Sequence, residues 1–235
     1  MRDFLRKILI SKWSKVVVFL LCLSPFVYLA WPLVAFLAWQ VEPRRFGANP
    51  VEYVQHFTGD WTLRFLLITL SVTPLRKLLN VPDLIRLRRM LGLFAFFYVC
   101  LHFLTYIWPD QNFDLHGMWK DVAKRPFVTV GFLGFVLLIP LAITSSKGWI
   151  RRLGGNRWQN LHRLIYISGL CGVLHYYWLV KSNHRLPLLY AAILAVLWLY
   201  QQGARRSIVH PRPAQPEAGL PVMAGGLGLA DADSG

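Results

Sequence analysis

The apolar residues of this chain come in uninterrupted runs that are long enough to cross a lipid bilayer. The clearest run extends from residue 16 to residue 39 and contains no charged side chain. The hydrocarbon core of a bilayer is about 30 Å thick, which roughly 20 helical residues span. Of the 235 residues, 55% are hydrophobic and 16% are charged, which is too little polar surface for a soluble domain of this length. The chain is therefore predicted to be an integral membrane protein.

Six membrane helices are predicted, which gives an all-α fold class, a polytopic membrane helix bundle. Their approximate ranges are 16–39, 49–73, 90–108, 127–145, 161–180 and 186–201. The second begins with Asn49 as N-cap and Pro50 in the first helical position. Pro25 and Pro32 fall inside the first helix, where neighbouring helices can satisfy the freed backbone groups. The helices form one domain, residues 16–203, between a basic N-terminus (1–15) and a Pro-, Gly- and Ala-rich tail (204–235) that is predicted to be disordered.

The distribution of the basic residues predicts how the bundle is oriented. The net charge is +15, with 18 Lys and Arg residues on the side of the two termini and 7 on the opposite side. The positive-inside rule then places both termini in the cytoplasm. These charges lie in short loops and do not form a surface domain of basic and aromatic residues, so a nucleic-acid-binding domain is not predicted. The cysteines form no CxxC pattern and fall inside apolar runs, which argues against a disulfide framework and covalent haem.

Two intramembrane histidines are predicted to lie at matching depth. Ionisable residues within membrane helices are costly to insert and are usually functional. His102 lies 12 residues from the inner end of the third helix and His175 lies 14 residues from that of the fifth. Since both helices run outward, the two side chains differ in depth by only about 3 Å. They can therefore ligate one haem iron from opposite sides, although each alone can also be a packed, hydrogen-bonded residue.

A second, inner site is less well defined. His162 precedes His175 by 13 residues, about 20 Å along a helix, so the two cannot share one metal. On an ideal helix their side chains are also about 140° apart. Arg88, where a matching ligand would stand, suits a haem propionate better than iron, and taken alone it is better explained as a positive-inside charge. The inner site is thus ligated by His162 alone, completed by another group, or absent. Arg64, near mid-membrane, is predicted to face a propionate, the alternative being snorkelling.

Several motifs resemble the MsrQ family, the haem-binding membrane subunits of periplasmic methionine-sulfoxide reductase systems, within the ferric-reductase-like transmembrane superfamily. The matching strings are GANPVEYVQHFTGDW (47–61), RRMLGLFAFFYVCLHFLTY (88–106), KRPFVTVGF (124–132), PLAITS (140–145), RRLGGNRWQNLHRLIYI (151–167) and LHYYWLVK (174–181). In the superfamily, two haems are each held by one histidine of the third helix and one of the fifth. The chain matches that pattern at His102, His162 and His175 and departs from it at Arg88.

The resemblance also implies cofactors and partners. It implies one or two b-type haems, an FMN, electrons from the quinone pool, and delivery to a periplasmic molybdopterin subunit, MsrP, that reduces methionine sulfoxide in proteins. The implied location is the bacterial inner membrane, where the chain itself would carry no catalytic site for methionine sulfoxide. No dinucleotide-binding fingerprint following a strand is present.

Two other functions remain open from the sequence. One is a stand-alone quinol or ferric reductase of the cytochrome b561 type, which shares the haem chemistry but needs no fixed partner. The other, less favoured, is a non-redox transporter or assembly factor whose histidines only pack between helices. Co-purification with a molybdenum protein would favour the function that the family resemblance implies over the stand-alone reductase. The absence of a haem spectrum would favour the non-redox protein.

Overall fold

The fold is a helix bundle, seen in a computed structural model that describes residues 11–39, 46–47, 49–111 and 113–209. All regular secondary structure in these ranges is helical. The α-helices are α1 (Lys12–Trp39), α2 (Pro50–Leu78), α3 (Ile85–Thr105), α4 (Leu115–Lys124), α5 (Pro126–Ile143), α6 (Lys147–Leu153), α7 (Gly155–Leu161), α8 (Leu164–Leu179) and α9 (Arg185–Val209). A 3₁₀ turn leads into α3, and a π-helical turn (Tyr106–Asp110) follows it.

Four stretches of the described residues are long and apolar enough to cross a membrane. They are Trp13–Pro32, Pro82–Trp108, Pro126–Ile143 and Arg185–Gly203. The other two predicted spans correspond to α2 and α8. Asp60 and Arg64 make the middle of α2 more polar, and α8 has only 16 residues. The four spans make the chain a membrane protein. The helices α2 and α8 pack against these spans.

The helix ends differ in part from those predicted. Asn49 caps α2 as expected, since its side chain accepts a hydrogen bond from the Glu52 amide. However, α2 continues through Pro74 to Leu78. Helix α9 extends to Val209 and thus into the tail segment that was predicted to be disordered. Residues 210–235 of the tail and residues 1–10 of the basic N-terminus lie outside the described residues.

The predicted fifth helix is interrupted at its inner end. α7 ends at Leu161, His162 and Arg163 form a turn, and α8 begins at Leu164. The estimate of 140° between His162 and His175 assumed one continuous helix, so it does not apply. The sequence analysis also missed α4, α6, α7 and the turn at Gly154, where a φ of +75° suits a residue without a Cβ.

Tyr98 of α3 fastens α1 to the bundle. Its hydroxyl donates to the Cys22 carbonyl at 3.0 Å and accepts from the Phe26 amide at 2.9 Å. In a regular helix that amide bonds directly to that carbonyl, so the hydroxyl bridges the turn beside Pro25. Tyr98 has no exposed surface. A neighbouring helix therefore supports the backbone at Pro25, as expected from the sequence.

The bundle is built chiefly from two helix pairs. α2 packs mainly against α3, and α5 packs mainly against α8. Within the second pair the Ser168 hydroxyl donates to the Gly134 carbonyl at 2.8 Å. α9 packs against both α8 and α2 and so connects the pairs on one side. Between the pairs lies a cavity.

Candidate functional site

The cavity has a volume of about 350 Å³ and is enclosed by α2, α3, α5 and α8. Its deeper wall is apolar and includes Leu66, Val99 and Leu138. The end near α4 is polar. Charged side chains there include Glu52, Asp121 and Arg125; Asp60, from the middle of α2, also lines the cavity. The site is thus an apolar chamber with a charged rim at one end.

The structure brings His102 and His175 together within this cavity. The centroids of their rings are 6.1 Å apart, and the ring planes cross at 81°. His102 comes from α3 of the first helix pair and His175 from α8 of the second. Each helix pair therefore contributes one imidazole to a common site.

Both rings are oriented through the same nitrogen, Nδ1. The Nδ1 of His102 lies 3.0 Å from the Gln55 carbonyl oxygen, and that of His175 lies 2.7 Å from the Phe127 carbonyl oxygen. A carbonyl oxygen only accepts, so each Nδ1 carries the proton and donates. Each Nε2 then keeps its lone pair and is the nitrogen available to a metal ion.

His162 lies elsewhere, in the turn between α7 and α8. Its Nε2 is 3.1 Å from the Thr144 hydroxyl, whose own proton is donated to the Pro140 carbonyl at 2.6 Å. In this arrangement Nε2 of His162 is the donor and Nδ1 keeps the lone pair. Trp158 stacks on the ring at a centroid distance of 4.0 Å. His162 therefore has a different environment and tautomer from the paired histidines.

Arg88 is near His162 but bonds to another helix. Its Nη1 donates to the Thr73 hydroxyl of α2 at 3.4 Å, and its charge also acts on His162. Neither Arg88 nor His162 lines the cavity that holds the histidine pair. The two inner residues predicted from the sequence are therefore neighbours, away from that cavity.

Arg64 is engaged by side chains of the bundle. Its Nη2 donates to Asp60 at 3.3 Å, its Nε donates to the Tyr190 hydroxyl of α9 at 3.2 Å, and its guanidinium lies 5.0 Å from the Trp61 ring centroid. Asp60 lines the cavity, whereas Arg64 does not. A propionate at this position would have to compete with Asp60 for the guanidinium.

The remaining four histidines were not assigned to a site, and their positions differ. His56 is exposed at the cavity rim, 3.8 Å from Glu52, and His116 is exposed on α4. His184 packs against Tyr177 at a centroid distance of 4.6 Å. His210 lies outside the described residues.

Several residues of the site were not singled out by the sequence analysis. At the rim, Asp121 accepts from the Tyr106 hydroxyl at 3.1 Å and pairs with Arg125 at 2.8 Å. Gln55 and Phe127 contribute only their backbone carbonyls, which no side-chain pattern reveals. The available signal was indirect, because Gln55, Arg125 and Phe127 all fall within the strings that carried the family resemblance.

Comparison with known proteins identifies the family. Residues 58–173 match the ferric reductase like transmembrane component. The chain is 55% identical to the protein-methionine-sulfoxide reductase heme-binding subunit MsrQ of Herminiimonas arsenicoxydans, over 68% of this chain and 78% of that protein. The chain belongs to the MsrQ family. The MsrQ protein of Caulobacter vibrioides is 48% identical over 78% of this chain and 84% of its own length. The MsrQ protein of Xanthomonas euvesicatoria pv. vesicatoria is 48% identical over 86% of this chain and 95% of its own length. No solved structure matches the chain significantly.

The histidine pair fits the haem for which the MsrQ relatives are named. An imidazole nitrogen binds a metal at about 2 Å, and adding roughly 1.2 Å from nitrogen to centroid in each ring gives a centroid separation of about 6.4 Å. The 6.1 Å between the rings is close to this value. Within the described residues, no three or more His, Cys, Asp or Glu side chains converge as ligands for a bare metal ion. Two neutral imidazoles beside an apolar wall are the residues that would hold an iron porphyrin in this cavity.

Proposed function

We propose that the chain is a b-type cytochrome of the bacterial inner membrane that relays electrons to a periplasmic methionine-sulfoxide reductase. The observation that carries this proposal is the pair of imidazoles 6.1 Å apart, each with Nδ1 bound to a carbonyl and Nε2 left as the ligand atom. Membership of the MsrQ family supports it, because the relatives are named as heme-binding subunits of that reductase.

In this function His102 and His175 would hold one haem through their Nε2 atoms. When bound, the haem iron supplies reversible one-electron transfer. The protein keeps both ligand rings neutral and fixed in rotation through the Gln55 and Phe127 carbonyls. The apolar wall of the chamber suits the porphyrin, and Arg125, which pairs with Asp121 at 2.8 Å, is the cation that a propionate at the cavity end near α4 would meet.

Membership of the MsrQ family supports a proposal for the electron source and acceptor. We propose quinol as the donor and a molybdopterin-containing subunit, MsrP, as the acceptor on the periplasmic side, with an FMN as a further cofactor. Reduction of methionine sulfoxide to methionine takes up two electrons and two protons and releases water, and oxidation of one quinol releases two electrons and two protons. The two half-reactions therefore balance without a further reductant.

The proposed topology has six spans with both termini in the cytoplasm. It requires α2 and α8 to cross the membrane together with the four apolar stretches. The polar middle of α2 is supported by the contacts of Arg64 with Asp60 and Tyr190. The 18 to 7 distribution of Lys and Arg supports the orientation.

A second haem at the inner end remains part of the proposal, with His162 as its one identified ligand. Because Nδ1 of His162 keeps the lone pair in the present arrangement, ligation through Nε2 would require breaking the bond to Thr144. Arg88 is the nearby cation that a propionate at this level would meet.

The decisive experiment compares the optical spectra of purified variants. His102→Ala and His175→Ala are each expected to abolish the same component of the reduced-minus-oxidised spectrum, since loss of either axial ligand releases the haem. His56→Ala, at the cavity rim, is the matched control and should retain that component. Normal haem content and electron delivery in His102→Ala would show that the pairing is wrong.

A second experiment tests the partner. A tagged form of the chain is expected to co-purify with a periplasmic molybdopterin protein and to reduce it when a quinol is supplied. Quinol oxidation that proceeds equally well onto ferric chelates, with no such partner bound, would instead favour the stand-alone reductase.

A further inference from the structure

The two ligand histidines are held by the same arrangement on two different helices. On α5, the carbonyl of Phe127 accepts from His175, and the residue four positions later is Gly131. On α2, the carbonyl of Gln55 accepts from His102, and the residue four positions later is Gly59. The pattern of a carbonyl at position i and a glycine at position i+4 thus occurs once in each helix pair.

Helix geometry explains why the position i+4 matters. In an α-helix the carbonyl of residue i points towards the amide of residue i+4, so the side chain of that residue stands beside the oxygen. A group from another helix reaches the same oxygen only if this side chain is small. Glycine, which has no Cβ, permits the closest approach.

The distances show how little space each glycine leaves. A Cβ on Gly131 would lie 2.6 Å from Nδ1 of His175 and 3.0 Å from Cγ and Cε1 of the same ring. A Cβ on Gly59 would lie 3.2 Å from Cε1 and 3.3 Å from Nδ1 of His102. The first contact is impossible without displacing the imidazole, and the second requires it to shift by a few tenths of an ångström.

We propose that Gly59 and Gly131 are positioning residues for haem ligation. By leaving room beside the carbonyls of Gln55 and Phe127, they let each Nδ1–H form its hydrogen bond and so fix the rotation of each ring. The result is the 81° angle between the two ring planes. This inference depends on the proposed function in one respect, namely that both rings ligate iron.

The angle between the rings gives the inference a spectroscopic signature. Axial imidazoles with nearly perpendicular planes give low-spin ferric haem an electron paramagnetic resonance spectrum with a strongly anisotropic, low-field feature. Parallel planes give a more rhombic spectrum with its first feature at higher field. A general loss of packing would change the amount of folded protein rather than the position of this feature.

The experiment uses the full chain, purified with haem, as Gly131→Ala, Gly59→Ala and the control Gly92→Ala. Gly92 lies in α3, and a Cβ there would make an ordinary contact of 3.5 Å with Thr69. Gly131→Ala is expected to lose the low-field feature and to bind carbon monoxide when reduced, since a displaced imidazole leaves the iron open. Gly59→Ala should shift the feature by less, and Gly92→Ala should match the wild type.

The outcomes separate this inference from the proposed function. If Gly131→Ala keeps the wild-type spectrum and does not react with carbon monoxide, the positioning role is wrong, even when His102→Ala and His175→Ala lose haem. If Gly131→Ala does not accumulate, Gly59→Ala decides, because its contact needs only a small adjustment. If the two histidine variants keep their haem, the ligand assignment itself fails.

Discussion

The surroundings of His162 are those of a residue that closes a helix end. Its Nε2 bonds to Thr144 at the end of α5, and Trp158 covers its ring while donating to the Thr144 carbonyl at 2.9 Å. His162 therefore ties α5 to the turn before α8 whether or not it also meets a metal ion. This role sets it apart from His102 and His175, whose Nε2 atoms remain available as ligands.

A His162→Ala variant is therefore expected to retain the spectral component that depends on His102 and His175. Loss of the bond to Thr144 should lower stability by about 1 kcal/mol, measurable as a lower thermal midpoint in detergent. Thr144→Val, which removes the same bond from the other side, should show a similar shift. Disappearance of the shared component in His162→Ala would contradict the separation of the two levels.

Asp60 and Arg64 form an ion pair on a helix that is predicted to lie in lipid. Their side chains are 26% and 40% exposed within the chain, and Asp60 also lines the cavity. An ion pair at such a position depends on both members, because an unpaired charge in hydrocarbon is costly.

Replacing Arg64 by Met is expected to destabilise the protein by about 1–2 kcal/mol, since it leaves Asp60 without its cation. The double variant Asp60→Asn with Arg64→Met should recover part of that loss. Unfolding in detergent micelles, followed for wild type, both single variants and the double variant, gives the coupling energy. Strict additivity of the single effects would show that the pair does not act as a unit.

At the scale of elements, one hydroxyl group adds a polar link to the aromatic contacts that hold α1 on α3. Tyr98→Phe keeps the ring packed against Phe65 at a centroid distance of 5.2 Å but removes the bridge between Cys22 and Phe26. We expect a loss of about 1–2 kcal/mol, because two backbone groups beside Pro25 lose their partner. The thermal unfolding midpoint in detergent checks this prediction, and Tyr177→Phe, at an exposed position, is the control. Equal thermal midpoints for the two variants would show that the bridge does not stabilise the protein.

The sequence predicts the membrane helices well where apolar character is continuous. Runs such as that of α5 carry the signal themselves, and the cap at Asn49 marks the start of α2 correctly. The amphipathic α4 and the short α6 were missed because helices of ten residues or fewer in polar loops have no strong apolar run. The break at His162 was missed because hydropathy does not register a local turn.

For the site, the sequence locates the histidines but not what orients them. His102 and His175 are conspicuous because imidazoles are unusual among apolar residues, and their depth follows from the helical rise. The carbonyls of Gln55 and Phe127 and the space at Gly131 depend on how two helices approach each other. That approach is a property of the assembled bundle, so no single-helix pattern predicts it.

At the scale of the whole molecule, the orientation can be read from single introduced cysteines. The three native cysteines lie inside helices, and two of them, Cys22 and Cys171, are buried. With them replaced, Lys181→Cys is expected to react with a membrane-impermeant maleimide in intact spheroplasts, whereas Lys147→Cys should react only after lysis. Equal labelling of the two positions from outside would show that α8 does not cross the membrane.

The division of the ligands between two helix pairs has a consequence for assembly. In the proposed site each pair holds only one of the two imidazoles, so haem would bind with full affinity only when both pairs are docked. A ligand that binds the assembled state alone stabilises it by mass action, in proportion to the logarithm of its concentration relative to its dissociation constant. Cells starved of iron or of porphyrin precursors should accordingly contain less of this protein, because the undocked pairs become substrates for membrane proteases.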